Sequence, residues 1–178
     1  MKYRISPVKR YLLILTLLAL CSLQNLMAGI SWVDIGVNGL TCSMCTRSVE
    51  MSIRRLDFVD TVVMSLEKAE GRIYFESNLP VNFEQIAKAV VNAGFSVRFI
   101  KVQFNFNDIE IGPDGLFSYQ GQLFKWIDFK IKPDETQVAL KLIDEGFLPK
   151  KESTQFKKKI NSSKAPATQK ILHVIQES

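Results

Sequence analysis

Two cysteines separated by two residues, Cys42-Ser43-Met44-Cys45, are the part of this chain best suited to chemistry. At the spot where a strand hands over to a helix, this spacing lets two thiols converge on one ion, and the partial positive charge of the helix N-terminus stabilises thiolates there. Thiolates are soft donors that suit Cu(I) and other thiophilic ions, whereas Mg²⁺ and Ca²⁺ require cages of oxygen. Zinc prefers four ligands, and the loop adds only Thr41, Ser43 and Met44, with Asp34 and Glu50 as the nearest acids. Hg(II) accepts two thiolates in a line and fits as well as Cu(I). His173, the one histidine, is far along the chain and reads as a packed or surface residue. The same pair could serve as a thiol redox or sensor couple, or form a structural disulfide, although so small a loop gains little chain entropy. No nucleophile–base pair, carboxylate pair or phosphate-cradling loop accompanies the cysteines, so no catalytic residue is expected.

The elements around this tetrapeptide follow from hydrophobic periodicity. Ser31 to Asn38 alternates with Val33, Ile35 and Val37 on one face, which predicts a half-buried strand. Beyond Cys45, Val49, Ile53 and Leu56 recur at helical spacing among charged residues. Phe58 to Leu66 and Ile73 to Phe75 read as two strands, joined by a charged stretch whose Gly71 suits a hairpin turn. After Asn78-Leu79-Pro80, a second helix is marked by Phe83, Ile86, Ala87, Val90 and Val91, with Gly94 as its C-cap. Phe95 to Phe106 alternates again. The order β-α-β-β-α-β within this stretch predicts an α+β, ferredoxin-like sandwich.

The stretch Val37 to Cys45, the helix with Val49 and Ile53, and the closing Asn92-Ala93-Gly94-Phe95 together resemble the heavy-metal-associated domain. That family includes copper chaperones, the N-terminal modules of copper-transporting ATPases and periplasmic mercury-binding proteins. The resemblance runs from about Ile30 to Val102, under half of the chain. It implies that Cys42 and Cys45 are the metal ligands, holding one Cu(I), with Hg(II) fitting the same pair and Zn(II) bound more weakly. Leu40 stands where the family usually has a buried Met, a volume-conserving exchange. Phe95 stands where bacterial copper chaperones commonly have Tyr and eukaryotic ones Lys, so it can shield the site but brings neither hydroxyl nor charge.

Outside residues 29–103 the reading is coarser. Lys2, Arg4, Lys9 and Arg10 precede an apolar run from Tyr11 to Leu23 and the small-residue ending Ala28. This has the organisation of a secretory signal peptide over residues 1–28. The run is shorter than the roughly 20 residues a spanning helix needs, so cleavage rather than anchoring is expected. Lipidation at Cys21 is disfavoured by the bulky Leu20 before it. Either way, the remaining chain is expected to be exported, periplasmic or secreted. Residues 104–148 read as a β-rich extension or small second domain, with Phe117, Tyr119, Phe124, Trp126 and Phe129 expected in its core rather than on a nucleic-acid stacking platform. Within them, Thr136 to Phe147 fits either a strand or a helix capped by Gly146. Residues 149–178 read as a basic tail, in which Lys150 to Asn161 can form a helix, Ser162 to Thr168 is a linker, and Ile171 to Ile175 fits a last short strand or a frayed end.

The net charge of +5 is unevenly placed. The leader carries +4 and the last thirty residues +5, while residues 29–148 hold 12 basic and 16 acidic side chains. A globally cationic nucleic-acid binder is therefore excluded, and the acidic body suggests steering toward a basic surface. The partners expected are the metal ion and a membrane metal-transport component. The oligomeric state is not legible in the chain.

Overall fold

The computed structural model describes residues 30–76, 79–107, 109–129, 137–162 and 170–177. The expected leader over residues 1–28 and most of the Ser162–Thr168 linker lie outside them. Strand β1 (Trp32–Asn38), helix α1 (Ser43–Ile53), strands β2 (Val59–Ser65) and β3 (Glu70–Phe75), helix α2 (Phe83–Asn92) and strand β4 (Ser96–Asn105) follow the anticipated order. The strands pair antiparallel in the order β2-β3-β1-β4. Val49 and Ile53 of α1 and Ile86 and Val90 of α2 are buried against Val33, Ile35, Ile73 and Ile100, so both helices cover one face of the sheet. Burying each such side chain contributes about 1.5–3 kcal/mol. This is the ferredoxin-like sandwich.

Two glycines play different parts. Gly94 takes φ +89 directly after α2, the left-handed end expected of a C-cap. Gly71 does not form the hairpin turn. The turn is Leu66 to Ala69, with Ala69 at φ 50, and Gly71 is buried inside β3 beneath Met64, whose sulfur would lie 2.2 Å from an added Cβ. The glycine signal there was one of close packing, not of a turn.

The chain beyond β4 adds to the same sheet. Strands β5 (Leu116–Tyr119), β6 (Gln122–Trp126) and β7 (Gln137–Leu142), helix α3 (Lys150–Ser162) and strand β8 (Ile171–Gln176) complete the order β2-β3-β1-β4-β7-β8-β6-β5, eight strands among the described residues. The ambiguous segment is a strand: β7 pairs antiparallel with β4 from Lys101↔Lys141 to Asn105↔Gln137, so Val138, Leu140 and Leu142 extend the buried face. Gly146, read as a helix cap, takes φ +96 in the turn after β7. The basic segment read as a tail supplies α3 and β8, and β8 inserts between β7 and β6, parallel to β6. Its alternation of Leu172 and Val174 was too short to separate from a frayed end.

This half of the sheet curls. In a flat sheet, β4 and β5, four places apart, would be about 19 Å from each other. Instead the Phe104 ring on β4 lies 5.3 Å from Phe117 and 5.2 Å from Tyr119 on β5, and 5.1 Å from Phe124 on β6. Phe106 and Trp126 stack beside them. These aromatics form one continuous core with the α1/α2 layer, through Phe83 of α2 against Phe124. The opposite face is covered by α3, where Phe156 and Ile160 pack with Ile127, Ile143 and Leu148. His173 is buried there, its Nδ1 2.7 Å from Asp144.

Candidate metal centre

The loop from Gly39 to Cys42 connects the end of β1 to α1, and the two cysteines occupy the first turn. Cys42 is the N-cap residue, extended at φ −148 and ψ 158, and its sulfur accepts the Cys45 backbone N–H at 3.1 Å. A sulfur at this position takes the place of the oxygen that usually satisfies the free N–H groups of a helix start, and it sits in the field that favours negative charge. The Cys42 carbonyl accepts both the backbone N–H and the hydroxyl of buried Thr46, at 3.1 and 3.2 Å. These bonds fix the turn from below.

Cys42 and Cys45 are joined as a disulfide with Cα atoms 5.2 Å apart, so this structure holds the pair in its oxidised form. The bond shows that the two sulfurs meet. Leu40 before the pair and Val49 one turn after it are buried, and half-buried Cys45 packs against the same core. Phe95, at the end of α2, is half-buried, and its ring approaches Gly39. The shielding position expected for Phe95 is therefore beside the loop.

The nearest carboxylates are committed elsewhere. Asp34 lies on β1 opposite Arg72 of β3 in the strand register, and it holds both Arg72 nitrogens at 2.7 and 3.1 Å. That pairing raises the Arg72 pKa above its ordinary value, and the guanidinium stacks 3.8 Å over Trp32. Glu50 pairs with Arg54 one turn on, at 2.9 Å. No cluster of three His, Cys, Asp or Glu residues exists among the described residues. His173, on β8 with Asp144, is a packed histidine as anticipated.

Sequence reasoning missed Thr46 and the Arg72–Asp34 clamp. A threonine four residues after an N-cap cysteine was the available sign for the first, and the hairpin register for the second. Although residues 29–148 are acidic overall, Arg47 and Glu50 balance along α1, and Arg54 and Arg55 follow its last residue.

A two-cysteine loop at the N-terminus of the first helix of a βαββαβ sandwich defines a thiol-based ion-binding class of module. The heavy-metal-associated domain matches residues 35–96. The copper chaperone CopZ of Staphylococcus haemolyticus is 30% identical over 64 residues, which are 36% of this chain and 93% of that protein. The chain belongs to the heavy-metal-associated domain family. Copper-transporting ATPase RAN1 of Arabidopsis thaliana is 30% identical over 74 residues, 42% of this chain but 7% of the ATPase, so the chain spans under a tenth of that relative's length. Among solved structures, oxidized MerP from Ralstonia metallidurans CH34 is 28% identical with a TM-score of 0.34, covering 37% of this chain and 93% of that one.

Proposed function

We propose that this protein binds one soft heavy-metal ion, Cu(I) foremost, between the thiolates of Cys42 and Cys45, outside the cytoplasm, and delivers it to a membrane transporter or sequesters it. The convergence of the two sulfurs at the N-terminus of α1 carries this reading. Loading requires the reduced pair: an external dithiol gives two electrons and two protons to open the disulfide, becoming a disulfide itself, and the ion then displaces both thiol protons. Two thiolates around a monovalent ion leave a site of charge −1, exposed at Cys42, that a partner's thiolate can enter before either resident thiolate leaves. Such a site favours transfer. Among the described residues Asp34 and Glu50 are engaged by arginines and no cluster of three metal-binding side chains forms, which disfavours Zn(II), since it needs further donors.

A membrane transporter as recipient is supported by the names of the relatives, a copper chaperone and copper-transporting ATPases. Among the described residues no helix is long and apolar enough to cross a membrane. Export rests on the charged start and apolar run of residues 1–28. The role is binding rather than catalysis, with no residue assigned to bond-making in a substrate. Mercury scavenging is the second reading, because the same dithiolate suits Hg(II).

The test is competition between the reduced protein and a chromophoric chelator for Cu(I), Zn(II) and Hg(II) at matched free concentration, with C42S/C45S alongside. Tight one-to-one Cu(I) binding that is lost in the double variant is expected, with Zn(II) far weaker. Cu(I) affinity retained by the double variant would overturn the assignment. Protection of cells from Hg(II) but not from copper would move the function to mercury.

A further inference from the structure

Helix α3 carries five lysines and one glutamate in 13 residues, and its packing is done entirely by its other side. Ser153 is buried, and Phe156 and Ile160 pack on Ile127, Ile143 and Leu148. With 3.6 residues per turn, Lys151 and Lys158 fall on the line opposite that packed stripe, about 10 Å apart along the axis, with Lys150 and Lys157 running beside them. All five lysines are exposed. Those on the flanks reach carboxylates of the body: Lys157 pairs with Glu145 at 3.2 Å, and Lys159 with Asp128. Lys150, Lys151 and Lys158 have no carboxylate partner among the described residues. Glu152, the one acid of the helix, is drawn away to Lys141 at 3.4 Å. The crest of α3 is thus a row of unneutralised cations that folding does not require. It is also set apart from the rest of the charge, since residues 29–148 hold 16 acidic and 12 basic side chains.

We propose that α3 is a docking face for an anionic phospholipid bilayer. Lysines in a row on one rigid helix meet a plane of phosphate headgroups together, and each adds its own increment of attraction close to such a surface. The acidic body is repelled by the same surface, so the field turns the molecule with α3 foremost. Phe156 and Ile160 are already packed inward, which makes the contact electrostatic and reversible rather than an insertion. Helix α1 lies on the other face of the sheet, so docking through α3 keeps Cys42 and Cys45 off the lipid. The choice of a bilayer among polyanions rests on the membrane recipient proposed above, while the docking itself uses neither cysteine.

The experiment sediments the chain from Gly29 onward, which contains every element described, with vesicles of neutral phosphatidylcholine, with and without anionic phosphatidylglycerol. Cosedimentation with the anionic vesicles is expected in about 0.1 M salt, where charges act over about 10 Å, and should be lost near 1 M, where they act over about 3 Å. Neutral vesicles should not retain the protein. K150Q/K151Q/K158Q leaves the packed stripe untouched and should lower the partition coefficient for anionic vesicles about a hundredfold. R55Q/K68Q/K88Q removes the same charge from exposed positions outside α3 and should leave it nearly unchanged. C42S/C45S should dock as the unaltered protein does, and Cu(I) binding should survive K150Q/K151Q/K158Q, so either reading can fail while the other stands. Equal losses in the two triple variants, retention by neutral vesicles, or tighter binding to duplex DNA than to anionic vesicles at the same salt would overturn the proposal.

Discussion

At the level of single residues, the site is built from few groups, and the ones visible in the sequence were those whose type alone implies chemistry. A CxxC pair carries its spacing on its face. Thr46 does not, because its value lies in bonds to the Cys42 carbonyl that exist only once α1 has formed. Glu177 is another residue that gains meaning only from the fold. Read as part of a tail, it instead receives Lys101 of β4 and Lys141 of β7, the latter at 3.1 Å, and so ties the end of β8 to two strands. Burial pushes its carboxyl up, but the hydrogen bonds and charges of the two lysines outweigh this and leave its pKa below the ordinary glutamate value. A carboxyl depressed by folding contributes stability that is present above its unfolded pKa and lost as pH falls through the folded one. Glu177→Gln should therefore lower the unfolding free energy measured in urea at pH 7, by no more than about 1 kcal/mol for so exposed a pair. The gap should narrow as the pH falls below the ordinary glutamate value and on through the lower folded one. A gap of undiminished size at pH 3 would contradict the pairing.

Among the elements, β1, α1, β2, α2 and β4 were legible because each buries one face and repeats its apolar residues with the matching period. β7 and β8 were not. Gln137 to Leu142 carries apolar residues that satisfy both periods, and what decides for a strand is the open edge of β4, a long-range partner invisible in the local pattern. The aromatic run from Phe104 to Phe129 was correctly read as core, yet its curl depends on contacts between strands far apart in the sheet. Gly115 is the tightest point of that curl. It takes φ +80, and an added Cβ would lie 2.5 Å from the carbonyl oxygen of Trp126, whose N–H donates to the Gly115 carbonyl. Gly115→Ala should destabilise the protein by about 1–3 kcal/mol, through left-handed strain and overpacking together. An unfolding midpoint equal to that of the unaltered protein would show that the β5–β6 ribbon does not close as described.

The whole molecule joins a metal-loop sandwich to a curled extension through one sheet and one continuous aromatic and aliphatic core. Cooperative unfolding is expected, since buried residues of both halves pack in one core. Trp32 reports on the first half and Trp126 on the second. Phe104→Ala, which removes the ring at the junction, should cost about 3–5 kcal/mol and shift the fluorescence and far-ultraviolet dichroism transitions together. Two separated transitions would contradict the shared core. The extension thereby gives the metal loop a rigid, larger body, with lysine-rich α3 on the sheet face opposite α1 and α2. All of this serves the account only if the two thiols hold an ion. Native mass spectrometry of the reduced protein with one equivalent of Cu(I) tests that most directly. The account predicts a single bound copper, with a mass showing the loss of two protons, and no copper retained by C42S/C45S. Copper bound without loss of the thiol protons, or bound equally by the double variant, would contradict it.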